Sequence, residues 1–190
     1  MTFILKKAEV PEKDEIAQLI ENNPSLLDGT LQLIGKNLGP RNEPPWELVG
    51  VRQDKRLILI AIETRVTDKM LLKLLRNLDW AWENVEMFAS IYASYGIDSD
   101  HLPCVMVVAP SYPLFFKKSL NYLTYRIELN LFTYSCLESE KGRGLLVEPD
   151  EKKVVKYDHS VKTDAGIRLT GEGFFKNAKI TTEEIMEFLQ

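Results

Sequence analysis

Leu57-Ile-Leu-Ile-Ala-Ile-Glu63 constrains the fold more than any other stretch of the chain. Six consecutive apolar side chains on an extended strand point alternately to both faces, so both faces must be covered, as in the middle of a sheet flanked by helices. The neighbouring run Trp46-Glu-Leu-Val-Gly-Val51 reads as a second strand, and the polar segment Arg52–Arg56 between the two is short enough to make them an antiparallel hairpin.

Other elements follow from period and punctuation. Pro11 followed by EKDEIAQLIEN predicts a first helix with acids crowding its start and Ile16, Leu19 and Ile20 on one face; it should stop near Asn22-Asn23-Pro24. Leu31–Gly35 alternates weakly, as a strand. From Thr67-Asp68 the apolar positions Leu71, Leu75, Leu78, Trp82, Val85, Ala89 and Tyr92 recur at steps of three and four, which predicts one helix of about 25 residues closed by Gly96. Pro103–Pro110 brackets a buried strand, Tyr112–Tyr122 a shorter helix, and Ile127–Cys136 a last core strand. The resulting class is α/β, a mixed β-sheet flanked by helices.

The chain has 190 residues, 45% of them apolar and 27% charged, enough for one domain with a buried core and a modest appendage. The division expected is 1–138 for the α/β domain and 139–190 for an appendage packed on it, in which charges and glycines dominate. A strand pair at Leu145–Val147 and Val154–Tyr157 and a final helix at Thr181–Leu189 are expected there. The longest apolar runs, Leu57–Ile62 and Val105–Ala109, fall far short of the ~20 residues that span a bilayer, and the N-terminus lacks a signal-peptide pattern, so no membrane association and a cytoplasmic location are expected. Cys104 and Cys136 lie in apolar strand-like runs and read as reduced and buried. His101 and His159 have no ligand-spaced partners, and no nucleophile elbow, phosphate-cradling glycine loop or paired-histidine zinc motif is present.

The chemistry available is therefore that of carboxylates and bases. Glu63 ends the apolar strand, Glu47 lies near the start of its neighbour, and in an antiparallel hairpin those two ends are adjacent. Two carboxylates at one place repel unless they share a cation or a proton, and Mg²⁺, which prefers oxygen ligands and keeps several waters, suits such a pair. Strand alternation places Arg65 on the side of Glu63, a fixed positive charge beside the metal. Metal, carboxylates and a base at one edge are what phosphodiester hydrolysis uses. Spacing alone favours the plainer reading of Glu63 and Arg65 as strand-end residues in solvent or in a salt bridge, because charged strand ends are common.

From Ala17 to Glu138, about two-thirds of the chain, the sequence resembles the PD-(D/E)XK nuclease superfamily, and within it the nuclease modules of archaeal mismatch endonucleases and recombination exonucleases. The residues that carry the resemblance are Glu21 in LIENNPSLL, the hairpin WELVGV–RLILIAIETR, and the helix segment KLLRNLDW. The resemblance implies a restriction-endonuclease-like αβββαβαβ core. It puts Glu21 at the family's helix acid, Glu47 at the Asp position, Glu63 at the Glu, Arg65 at the Lys, and Lys73 and Asn77 where Gln and Tyr are usual, with Trp80 matching. Glu47 and Glu63 would then hold Mg²⁺ (or Mn²⁺), with Glu21, Arg65 and Lys73 completing the catalytic set. Arginine can hold a phosphate in two places but stays protonated, so Lys73 is the candidate for a migrated catalytic lysine; a solvated lysine on a surface helix is its plain alternative.

Charge distribution bears on the partner. The formal net charge of −4 argues against binding nucleic acid by bulk charge, yet Arg52–Arg76 carries seven bases (Arg52, Lys55, Arg56, Arg65, Lys69, Lys73, Arg76) against three acids. Arg52, Lys55, Arg56, Lys69 and Arg76 are accordingly candidates to bind nucleic-acid phosphates, DNA in particular, and Lys117, Lys118 and Arg126 form a second basic cluster. Three readings follow: a Mg²⁺-dependent nuclease, working as a homodimer in the manner of the family; an inactive relative that binds DNA; and a protein-interaction module.

Overall fold

The structure, a computed structural model, describes residues 6–7, 11–41, 45–67, 69–123, 127–139 and 142–150. Along them the chain runs β1 (Lys6–Lys7), α1 (Lys13–Asn22), β2 (Gln32–Leu38), β3 (Trp46–Val51), β4 (Leu57–Ile62), α2 (Met70–Glu83), α3 (Val85–Ile91), β5 (Cys104–Ala109), α4 (Leu114–Leu123), β6 (Leu129–Ser139) and β7 (Gly142–Pro149). Asp68, Arg126, His159, the expected strand at Val154–Tyr157 and the expected helix at Thr181–Leu189 lie outside the described residues.

The polar run between β3 and β4 folds as the expected turn. The Lys55 N–H donates to the Arg52 carbonyl at 2.9 Å, and Lys55 takes a positive φ of 66° to close it. The register pairs Val51 with Leu57 and Leu48 with Ile60. β2 adds antiparallel to β3, completing a three-stranded meander; β4, β5 and β6 are mutually parallel, and the order across the sheet is β1-β6-β5-β4-β3-β2 with β7 also on β6. The core is a mixed α/β sheet flanked by helices, as the alternation of patterns requires.

Both faces of the central strands are covered. Ile58, Ile60 and Ile62 of β4 join Cys104, Met106 and Val108 of β5 beneath Ile16 and Ile20 of α1. Leu57, Leu59 and Ala61 join Val105, Val107 and Ala109 against Met70, Leu74, Leu78 and Ala81 of α2, Val85 and Phe88 of α3, and Phe116 of α4. Every residue of β3, β4 and β5 is buried, which is the physical reason for the uninterrupted apolar runs.

Three expectations need correction. The single long helix is two, because α2 ends at Asn84, whose backbone leaves helical geometry (φ −109°, ψ 11°) and whose side-chain amide donates to the Trp80 carbonyl at 2.8 Å. The buried stripe of α2 runs through Met70, Leu74 and Leu78 and not through Leu71 and Leu75, one position away from the reading by spacing. The boundary at residue 138 falls inside β6, whose residues Phe132–Ser139 pair with all of β7, so 142–149 belong to the sheet.

Cys104 and Cys136 are free and buried, and burial together with the nearby Glu128 carboxylate pushes the Cys104 thiol up to about 12. Among the described residues no helix is long and apolar enough to cross a membrane.

Candidate active site

Glu47 and Glu63 come together through the hairpin register. Leu48 sits opposite Ile60, so one step further along β3 Glu47 is opposite Ala61 and diagonal to Glu63, a separation that long side chains span. Glu47 is buried, and its Oε2 accepts a hydrogen bond from the Ile62 N–H at 2.8 Å. The stretch of β3 paired with β4 ends at Leu48, so this carboxylate does for the Ile62 amide what a strand carbonyl does further along. Glu63 follows the last residue of β4, and its N–H donates to the Val108 carbonyl at 2.9 Å, prolonging the parallel ladder to β5. Glu63 has the parity of Leu57, Leu59 and Ala61, and so lies on the face that α2 covers.

Two lysines complete the cluster. Lys73, one turn into α2, donates to Glu63 Oε1 at 2.9 Å. Lys13, in the first turn of α1, lies 2.5 Å from Glu47 Oε1 and 3.3 Å from Glu63 Oε1, with its ammonium between the two carboxylates. Two anions and two cations alternate from one covering helix to the other, at the carboxyl end of the parallel strands, where open α/β sheets place their ligand crevices.

Lys13 escaped the reading by motif, yet it carried a signal. It stands among Glu12, Asp14 and Glu15 at the start of a helix, where the macrodipole favours anions and opposes a cation. A lysine there needs a tertiary partner, and Glu47 and Glu63 are that partner.

The remaining candidates are dispersed. Glu21, eight positions beyond Lys13 on α1 and hence roughly 12 Å further along its axis, pairs with Lys36 of β2 at 3.4 Å. Arg65 is exposed in a bend beyond β4: the strand stops at Ile62, so alternation does not aim this side chain alongside Glu63. Lys69 and Arg76 are exposed at the start and in the body of α2, and Asn77 is buried beneath that helix.

Arg52, Lys55 and Arg56 sit at the opposite end of the hairpin; Glu63 is seven residue steps beyond Arg56 along extended chain, roughly 23 Å. Arg52 binds Glu128 Oε1 at 2.9 Å and Asp54 at 2.5 Å, Arg56 binds Glu128 Oε2 and the Leu102 carbonyl, and Lys55 donates to the Tyr95 carbonyl. The basic segment of the sequence is therefore not one patch beside the site, and its two arginines at the turn are engaged by carboxylates. Of the second cluster, Lys117 pairs with Asp150 at 2.6 Å; away from it, His101 pairs with Asp98 at 2.8 Å.

Burial opposes ionisation of Glu128, but the hydrogen bond from Arg52 and the charge of Arg56 outweigh it and hold this carboxyl below the usual carboxylate range. A depressed folded-state value means stabilisation that is present above the unfolded-state pKa and is lost as pH falls through the folded-state value. Glu128→Gln is expected to destabilise the fold by about 1–2 kcal/mol at pH 7, and the difference from the parent should shrink as pH falls below about 4. Urea melts at pH 7 and pH 3 measure both effects, and a pH-independent difference would contradict this account.

The donor set fits a divalent cation of the Mg²⁺ type. Oxygens of two carboxylates converge on one positive centre, and Mg²⁺ is commonly held by one or two carboxylates with waters and substrate phosphates in its other positions. Among the described residues no group of three or more His, Cys, Asp or Glu side chains could form a cage supplied by the protein alone.

No known protein family matches the sequence, and no curated protein does. Solved structures similar to this chain include a repair endonuclease from Pyrococcus abyssi, with a TM-score of 0.45 and 20% identity over 65% of this chain and 48% of that one. They also include the EndoMS-dsDNA2 complex, with a TM-score of 0.40 and 17% identity over 65% of this chain and 47% of that one, and EndoMS in apo form, with 0.37, 19%, 64% and 47% respectively. The chain spans about half the length of these structures.

Proposed function

We propose that the protein is a nuclease-like, DNA-binding protein that hydrolyses phosphodiester bonds with the aid of Mg²⁺ or Mn²⁺, as the resemblance of its hairpin to PD-(D/E)XK nucleases implies. The observation that carries the reading is the convergence of Glu47 Oε1 and Glu63 Oε1 on one cationic point, with the Lys73 ammonium on Glu63.

In this reading Glu47 and Glu63 hold the metal, which when bound supplies the Lewis acidity that activates water and offsets phosphate charge. The bond from Ile62 N–H keeps one oxygen of Glu47 in place, leaving the other to face the site. Lys73 supplies a positive charge fixed by α2 within reach of Glu63, where charge developing on the phosphorane oxygens would be offset. Arg65, exposed just beyond the strand, and Lys69, at the start of α2, are free of the salt bridges that engage Arg52 and Arg56 at the hairpin turn and suit flanking phosphates.

The test is incubation with DNA and with RNA in Mg²⁺ or Mn²⁺, beside Glu63→Ala. Divalent-dependent cleavage of DNA that Glu63→Ala abolishes is the expected result. Salt-dependent binding without cleavage would select the inactive relative, a reading favoured by the position of Lys13 between the carboxylates, and absence of both would remove the nucleic-acid role altogether.

A further inference from the structure

The cluster of Glu47, Glu63, Lys13 and Lys73 balances to zero formal charge, and one of its cations stands where a divalent ion would have to bind. The Lys13 ammonium touches Glu47 Oε1 and Glu63 Oε1 at 2.5 and 3.3 Å, whereas Mg²⁺ would need carboxylate oxygens at about 2.0–2.1 Å. An ammonium and a divalent ion cannot share that position. We infer that Lys13 is an internal counter-ion that competes with the metal, so that loading the site requires the Lys13 side chain to withdraw. This inference rests on the metal reading of the site given above.

The chemistry of Lys13 suits a removable occupant. Its ammonium is a compact, strongly hydrated charge on a flexible four-carbon stem, and nearly a third of the side chain is exposed, so it can move to solvent without crossing packed core. The start of α1 does not favour a cation, so its attachment is to the two carboxylates and not to its own helix. Lys73 is differently placed: its ammonium contacts Glu63 Oε1 at 2.9 Å and makes no ion pair with Glu47, so it can stay beside Glu63 when the shared position changes hands. The exchange gives the fold a reason to carry a lysine at position 13. Without a divalent ion, Lys13 relieves the repulsion between two carboxylates held together by the hairpin register.

Calorimetric titration with Mn²⁺, without nucleic acid, tests the competition in the parent, Lys13→Met, Lys13→Arg and Glu63→Gln. Lys13→Met should bind Mn²⁺ about tenfold or more tightly than the parent, a coupling of the size typical between two ligands that oppose each other. Lys13→Arg, which keeps the charge, should remain near the parent, and Glu63→Gln should lose binding. Thermal melts provide a second readout: Lys13→Met should melt lower than the parent without metal and gain more from added Mn²⁺. Equal affinities in the parent and Lys13→Met, with binding lost in Glu63→Gln, would overturn the competition and leave the metal site standing. Binding unaffected by Glu63→Gln, or no binding by any variant, would remove both.

Discussion

Lys73→Ala is expected, on the nuclease function proposed above, to lower the rate of DNA cleavage by about 10²–10³-fold, the usual cost of removing one preorganised group from the place where charge develops. Lys73 is held on α2 by Leu74, which is buried in the core one residue along, and its ammonium reaches Glu63 from the helix face of the sheet. Arg65, where the family resemblance puts the lysine, is exposed beyond the strand and has no comparable hold. Single-turnover cleavage at saturating Mn²⁺ separates the chemical step from metal loading, and Mn²⁺ affinity should not fall, since Lys73 does not occupy the position shared by the two carboxylates and its removal only takes away a nearby like charge. A variant that cleaves as fast as the parent would show that Lys73 is an ordinary surface lysine. A Lys73→Arg variant that recovers part of the rate would assign the role to charge, whereas one as slow as the alanine variant would assign it to the amine's shape or proton.

Ile60→Ala is expected to cost about 3–4 kcal/mol in stability. Ile60 is fully buried on β4, opposite Leu48 of β3 and beside Met106 of β5, in the layer beneath α1. Strands on both sides prevent collapse around the lost atoms, so the cavity persists and its cost adds to the lost transfer energy. Because native domains retain only about 5–15 kcal/mol, this is a large share of the total. Urea unfolding should show a lower midpoint with an unchanged slope, and a loss below about 1 kcal/mol would mean that the layer relaxes to fill the gap.

The hairpin was legible in the sequence because everything that defines it is local. Two buried strands, a five-residue polar turn and a carboxylate near each open end fall within Trp46–Glu63, and antiparallel pairing makes Glu47 and Glu63 neighbours without reference to the rest of the fold. The first helix was legible for the same reason, since Pro11 and Pro24 bracket it. The break at Asn84 was not, because apolar spacing reports burial and continues across a gap in helical hydrogen bonding. Proximity in sequence also misled: Arg52–Arg76 reads as one basic segment, but extended strand β4 carries Arg56 and Glu63 to opposite ends of the sheet.

The amino-acid sequence alone therefore determined the layered α/β class, the central hairpin and the meeting of two glutamates, all consequences of local patterning. Which cations meet those glutamates was decided only by tertiary structure. Lys13 and Lys73 lie on helices that cover opposite faces of the sheet, and they reach the same carboxylate because the packing of Ile16 and Ile20 on one side and of Leu74 and Leu78 on the other sets where each helix begins relative to the end of β4. Arg65 shows the same dependence in reverse, since the end of a strand depends on its neighbours' hydrogen bonds, which no spacing rule encodes.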